Sequence, residues 1–348
     1  MDVRIKRKLF LSVLVTFALQ LTDVQIVSAD SELHVLRYAS PYREGSPYSR
    51  ADRAWMERIE SESNGRIKFI PFFSGSLVNG RHTVQELAAG IADVGVISPN
   101  LSRAGMHLIQ GQLAFYEGLK DWRLGEEIFW SMWEKYPQMK QELEGIHVIT
   151  INSGSPMYIL TTDRPVKTIS DLQGLRLKVT AEKVRPLQQL GIDAVPMPMG
   201  EAYVALHRGV LDGAISPADT IVAINFHEMI NYISLFKSPR PPYPSRAINQ
   251  KVWDELPQDL QEIVMATASW WSELIYKENE QFEARGMQKA KAIGIKLIEP
   301  SPEDVEKYVG KLTEEGERIA NILDEMSLPG TDMYRDIQSI IKQQQLPN

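Results

Sequence analysis

The sequence contains no cysteine. This excludes a disulfide framework, a thiolate nucleophile, cysteine metal ligation and lipid attachment through a thiol. Histidine is scarce, with six in all: His34, His82, His107, His147, His207 and His227. No two stand at the spacing that places paired ligands on one helix face, so each reads as a surface or structurally satisfied residue. Basic residues are outnumbered, 38 against 45, for a net charge of −7. A broad cationic surface for nucleic acid is therefore not expected. No G-x-S-x-G elbow, phosphate-binding G-x-x-x-x-G-K-[ST] loop or G-x-G-x-x-G turn occurs. Ser234 with Lys237 and Ser339 with Lys342 match Ser-x-x-Lys, but the companion motifs of serine acyl-enzymes are missing. No acidic pair is singled out for glycoside hydrolysis. Catalytic residues and a metal site are not expected.

What is present fits a globular chain of about two domains: 348 residues, 43% hydrophobic and 24% charged. Arg4, Lys6, Arg7 and Lys8 precede an apolar run over residues 9–21, and small residues follow at Val27-Ser28-Ala29. This is the order of a cleavable secretory signal, cut after Ala29. The run is shorter than the roughly 20 residues needed to span a bilayer. The expectation is a periplasmic monomer.

Strands and helices alternate along the remainder. Residues 34–39 read as a strand and 49–63 as a helix, with Ala51, Ala54, Trp55 and Ile59 at helical spacing. Asn64-Gly65 stops the helix, 66–72 reads as a strand, and 93–97 as a short β-prone run. A second cycle gives strands at 175–179 and 194–197 and helices at 181–190 and 201–208. This order implies α/β architecture with a mainly parallel sheet. The cycles end alike. Leu87-Ala88-Ala89-Gly90-Ile91-Ala92-Asp93 runs into Gly95-Val96-Ile97-Ser98-Pro99, and Leu206-His207-Arg208-Gly209-Val210-Leu211-Asp212 into Gly213-Ala214-Ile215-Ser216-Pro217. Two lobes of like construction follow, with Ser98 and Ser216 at carboxyl strand ends, where ligands of open α/β sheets collect. Two facing lobes describe a protein that closes on its ligand. Tyr42 and Tyr48 follow the first strand, on the presumed cleft side. Phe129, Trp130, Trp133, Trp270 and Trp271 read as core. From Pro257 to about Ala292 an apolar stripe marks one long amphipathic helix, and Ser301-Pro302 opens another.

Several segments resemble one family, and in this order. Ser63-Asn64-Gly65-Arg66-Ile67 is similar to its S-G-G-R-I turn, and Glu86 through Gly95 to its L-x-x-G-x-x-D-x-G segment. Thr168-Ile169-Ser170-Asp171-Leu172-Gln173-Gly174-Leu175-Arg176-Leu177-Lys178-Val179 is similar to D-L-K-G-L-K-I-R-V. Pro196-Met197-Pro198 through Asp212-Gly213 is similar to P-x-P-x-x-E-x-Y-x-A-L-x-x-G-x-x-D-G, and Asn249 to Pro257 to N-K-x-W-x-x-L-P. Together they resemble the dicarboxylate-binding (DctP) type of periplasmic solute-binding subunit of tripartite ATP-independent periplasmic (TRAP) transporters.

The resemblance implies a two-lobed periplasmic-binding-protein fold, with a hinge of crossing strands and a long C-terminal helix spanning the lobes. It implies capture of a small organic acid, delivery to the transporter's membrane subunits, and no cofactor. Residues 30–161 would form the first lobe, with about 250–290 returning to it. Residues 162–249 would form the second, with about 291–348 packing on it. A periplasmic sensor and, less favoured, a secreted hydrolase are the alternatives. First-lobe ligand contacts are expected from Ser40, Tyr42, Asn79 and Ser98, and second-lobe contacts from Lys178 and Ser216. Arg164 stands where the family often has a basic residue. At the position of the family's carboxylate-holding arginine this chain has Lys178, with Arg176 expected on the same face of the strand. The family's frequent asparagine after D-G-x-x is Ser216 here.

Overall fold

The computed structural model describes residues 32–78, 80–99, 105–197 and 199–343. The expected signal peptide and Asn79 lie outside the described residues.

The described strands are β1 His34–Ala39, β2 Ile67–Phe72, β3 Val94–Val96, β4 Ile146–Thr161, β5 Arg176–Val179, β6 Asp193–Pro196, β7 Gly213–Ser216, β8 Tyr232–Asn249 and β9 Lys296–Ile298. They form one sheet in the order β2-β1-β3-β8-β4-β7-β5-β6, with β9 beside β8. Each end of the sheet is parallel: β1 pairs with β2 and β3, and β5 with β6 and β7. The two ends are joined by β4 and β8, which run antiparallel to each other and to their outer neighbours. The expected mainly parallel sheet is thus two parallel halves held by two long antiparallel strands.

The middle of the β4–β8 pair is irregular, with register shifts from Val148 to Ile159. Its composition explains this. Pro239, Pro241, Pro242 and Pro244 each lack the N–H that a ladder bond needs, and β4 carries Gly154, opposite Arg240, and Pro156 in the same irregular stretch. The crossing point is therefore the least tightly laddered part of the sheet.

Helices cover both faces. The Pro47–Glu62 helix opens with Ser46 Oγ accepting the Ser49 N–H at 3.2 Å and with proline in the first turn. Trp55 and Ile59 are fully buried, and Trp55 Nε1 donates to Thr267 Oγ1 at 3.0 Å on the long helix Gln258–Ala292. The expected stop follows, with Asn64 and Gly65 at φ 52° and 76°. Residues 181–190 form a short 3-10 turn, Ala181–Lys183, leading into the helix Val184–Gln189.

The buried apolar side chains form two clusters in each half of the molecule. The long helix buries Leu260, Val264, Trp271 and Ile275 in the first half. It reaches the second through Ala290 and through Gly286, where an added Cβ would stand 2.0 Å from the Ala218 carbonyl oxygen. The C-terminal helices correct the expectation that residues 291–348 pack on the second lobe. Pro302–Glu325 starts there with Tyr308 and Leu312, then crosses. Ala320 and Leu323, with Met333, Ile337 and Ile341 of Gly330–Gln343, pack in the first. Two helices, as well as two strands, thus tie the lobes together.

Candidate functional site

The carboxyl ends of the parallel strands supply the site from both halves. Ser40, the loop carrying Tyr42 and the first turn of the Pro47–Glu62 helix, which carries Tyr48, follow β1; Lys178 is the penultimate residue of β5; Ser216 closes β7 and Asp219 follows. The crossing strands contribute Asn152 and Gly154 from β4, and Arg240 and Tyr243 from β8. Arg240 unites them. Its charge acts on Tyr42 and Tyr243, and on Lys178 and Asp219 of the second half.

Arg240 lies directly over Gly154, where any Cβ would come within 2.7 Å of Arg240 Cδ and 2.8 Å of Nη1. Glycine at 154 is what lets the guanidinium occupy this position. Its one described side-chain hydrogen bond is Nη2 to Tyr243 Oη, a long 3.4 Å, and no carboxylate stands within ion-pair distance among the described residues. Lys178 is only 4% exposed. Burial pushes its ammonium pKa down to about 8; Glu182 holds it up and Arg240 lowers it further. It has neither a hydrogen bond nor an ion pair among the described residues. One buried and one half-buried cation thus stand without a counter-ion in hydrogen-bond reach among the described residues, and a charge drawn out of water is held at a cost unless an anion joins it.

The remaining wall is aromatic and polar. Tyr42 and Tyr48 stack at 5.0 Å and 21°. Asn152 Nδ2 donates to Tyr243 Oη at 3.0 Å and to Tyr48 Oη at 3.5 Å. Burial raises the Tyr243 phenol, but Arg240 and the Asn152 amide outweigh it and hold the group below its usual range. Behind Asp219, burial pushes the Glu283 carboxyl up to about 7; Tyr158 and the Ala218 N–H, 3.0 Å away, draw it down and Asp219 raises it.

A third cation nearby has a different role. Arg246 is buried and bonded in parallel to both oxygens of Asp52, at 2.9 Å each. Its guanidinium carbon lies 4.2 Å from the Trp271 ring centroid, and Trp271 Nε1 also donates to Asp52. With its counter-ion supplied by the fold, this arginine fastens the first helix to β8 and the long helix.

Of the sequence-derived candidates, Tyr42 and Lys178 stand in this constellation. Ser40 is buried with its hydroxyl accepting the Tyr42 N–H at 3.2 Å, so it shapes the tyrosine loop. The Ser216 hydroxyl is bonded to Thr220 Oγ1 at 3.2 Å. Ser98 lies two residues beyond β3, where its N–H meets Thr83 Oγ1 at 2.9 Å. Two basic candidates are corrected. Arg164 is exposed and donates to the carbonyls of Asp171 and Gln173. Arg176, expected beside Lys178, is bound at the opposite end of β5. It donates to both Asp212 oxygens, Nη2 to Oδ1 at 2.7 Å, and to the Gly209 carbonyl at 3.0 Å. Arg37 does the same with Asp93 and the Gly90 carbonyl, at 2.7 and 2.9 Å. This matched clamp is the repeat itself: each lobe ties its helix-ending glycine turn to its first strand. Extending the repeat back to the first strands would have shown it.

Sequence reasoning missed Arg240, Tyr243, Asn152 and Asp219. The available signal was Ser238-Pro239-Arg240-Pro241-Pro242-Tyr243-Pro244, a proline-rich run unusual for a buried strand.

The model of the bacterial extracellular solute-binding protein family 7 (DctP) matches residues 39–321. The chain belongs to this family. Among relatives of this solute-binding protein, the monocarboxylate 2-oxoacid-binding periplasmic protein of Nostoc sp. is 24% identical over 265 residues, 71% of this chain and 68% of the relative. The C4-dicarboxylate-binding periplasmic protein DctP of Rhodobacter capsulatus is 23% identical over 277 residues, 76% of this chain and 80% of the relative. A TRAP periplasmic solute-binding protein of Bordetella bronchiseptica, solved with bound (R)- and (S)-mandelate, superposes with a TM-score of 0.75 at 20% identity, covering 89% of this chain and 99% of the other. At that identity the likeness establishes the two-lobed fold.

Proposed function

We propose that this solute-binding protein captures a small organic acid between its lobes in the periplasm and presents it to the membrane subunits of a TRAP transporter. The observation that carries the reading is a pair of cations, the half-buried Arg240 and the buried Lys178, neither of them hydrogen-bonded to a carboxylate among the described residues, beside a tyrosine wall. A ligand carboxylate supplies the missing counter-charge, and arginine offers it two parallel donors where lysine offers a point charge. That relatives bind organic acids supports this. The signal-like N-terminus supports export and cleavage after Ala29. In this reading the first lobe is centred on residues 30–161 and the second on 162–249, and closure turns on the irregular crossing of β4 and β8.

The test is calorimetric titration of small acids and of their neutral amides. An acid should bind and its amide should not, and Arg240→Gln should weaken the acid about 10- to 150-fold, the loss of one charge-assisted hydrogen bond. Equal binding of acid and amide, or an Arg240→Gln affinity within twofold of the parent, would refute the assignment.

A further inference from the structure

Beside the two cations that lack a carboxylate partner stand two buried acceptors that lack a donor among the described residues. Asn152 is 1% exposed; its Nδ2 is spent on tyrosine oxygens, and its Oδ1 is buried with no donor among the described residues. Asp219 stands three residues past the carboxyl end of β7, within the field of Arg240, and its Oδ1 is likewise buried without a donor among them. Tyr243 Oη already accepts from Asn152 and Arg240, so its own O–H points to neither. Buried acceptors left unmade are costly, and a ligand that supplies their donors gains more than one that does not.

We propose that Asn152 and Asp219 select acids bearing hydroxyl groups, the carboxylate lying toward Arg240 and Lys178 and the hydroxyls donating to the two free oxygens. This rests on the acid-binding reading above. A bare acid leaves both acceptors unpaired. A 2-oxo acid sets a carbonyl oxygen, which can only accept, against them. Sites built to bond a hydroxyl reject the analogue that lacks it far more strongly than an apolar pocket rejects a missing methylene.

The test is calorimetry on the purified protein with matched sets on several skeletons: lactate, pyruvate and propionate; malate, oxaloacetate and succinate; mandelate, phenylglyoxylate and phenylacetate; gluconate and hexanoate. On whichever skeleton fits, the hydroxy acid should bind at least about 10-fold tighter than its oxo or deoxy partner. Asp219→Ala should cut that preference severalfold and melt as the parent does. A deoxy or oxo acid that binds as tightly as the hydroxy acid overturns the proposal while leaving the acid reading standing. So does an amino acid that binds more tightly, because the donors required would then be cationic. An unchanged preference in Asp219→Ala removes Asp219 from the assignment. No binding by any acid overturns both readings.

Discussion

Lys178 carries the clearest pH signature. Its pKa falls from 10.5 in the unfolded chain to about 8 in the fold, with burial the largest cause. Between about pH 8 and 10.5 the unfolded chain therefore holds a proton that the empty folded protein has released, so stability should rise with pH across that window. Below pH 8 the buried charge costs about 3 kcal/mol. Lys178→Met should accordingly raise the melting temperature of the empty protein at pH 7, and should flatten its pH dependence above 8. It should also weaken the acid ligand about 10-fold or more, by loss of a charge partner. A melting temperature at pH 7 equal to the parent's would show that the ammonium reaches water. Here the sequence was partly legible. Lys178 could be found because it occupies a motif position on a short strand with a fixed end. Arg240 could not, since its importance comes from Gly154 lying beneath it and from the absence of a carboxylate beside it among the described residues, and both are facts of tertiary packing. Arg176 misled because strand alternation gives a face but not a partner, and Asp212, distant in sequence, claims it.

At the scale of elements, the local signals held where they had local causes. The Pro47–Glu62 helix was legible from its apolar spacing and its stop at Asn64-Gly65, and the long helix from its apolar stripe. The crossing strands β4 and β8 were not, because β4 is buried nearly throughout and β8 over most of its length, neither shows a regular alternation, and prolines interrupt β8 where a strand signal would be sought. How closely the long helix meets the second lobe was likewise invisible. Gly286 passes so near Ala218 that a single methyl would overlap its carbonyl, and backbone cannot rotate aside as a side chain can. Gly286→Ala should therefore destabilise by about 1–3 kcal/mol despite its better helix propensity, because overpacking outweighs the roughly 1 kcal/mol that alanine gains over glycine in a helix. Urea unfolding checks this. A Gly286→Ala variant as stable as the parent would mean that the helix shifts at little cost, and that the lobes are less firmly fixed to it than the contact implies.

For the molecule as a whole, a buried ion pair connects the lobes beside the crossing strands. Glu117 lies in a loop whose neighbours Phe115 and Leu119 belong to a first-half core, and Lys183 lies between Val179 and Leu187 of a second-half core. Lys183 Nζ donates to Glu117 Oε1 at 2.7 Å and to Ser238 Oγ of β8 at 2.6 Å, and Ser238 Oγ reaches Glu117 at 3.2 Å. Both charged side chains are almost wholly buried, at 4% and 6% exposure. A buried pair adds little net stability over apolar residues of the same shape, but breaking it strands the surviving charge. Lys183→Met alone should therefore cost about 3–5 kcal/mol, and Lys183→Met with Glu117→Leu should recover most of that. The pair also sits beside the crossing point, so its removal should loosen the relation between the lobes more than the lobes themselves. Small-angle scattering of the double variant without ligand should then show a larger radius of gyration than the parent, with the difference vanishing on addition of a saturating acid. If the double variant regains stability and keeps the parent's dimensions, the pair is packing within a fixed joint, and the lobes are held at their angle by the Pro302–Glu325 helix that crosses between them.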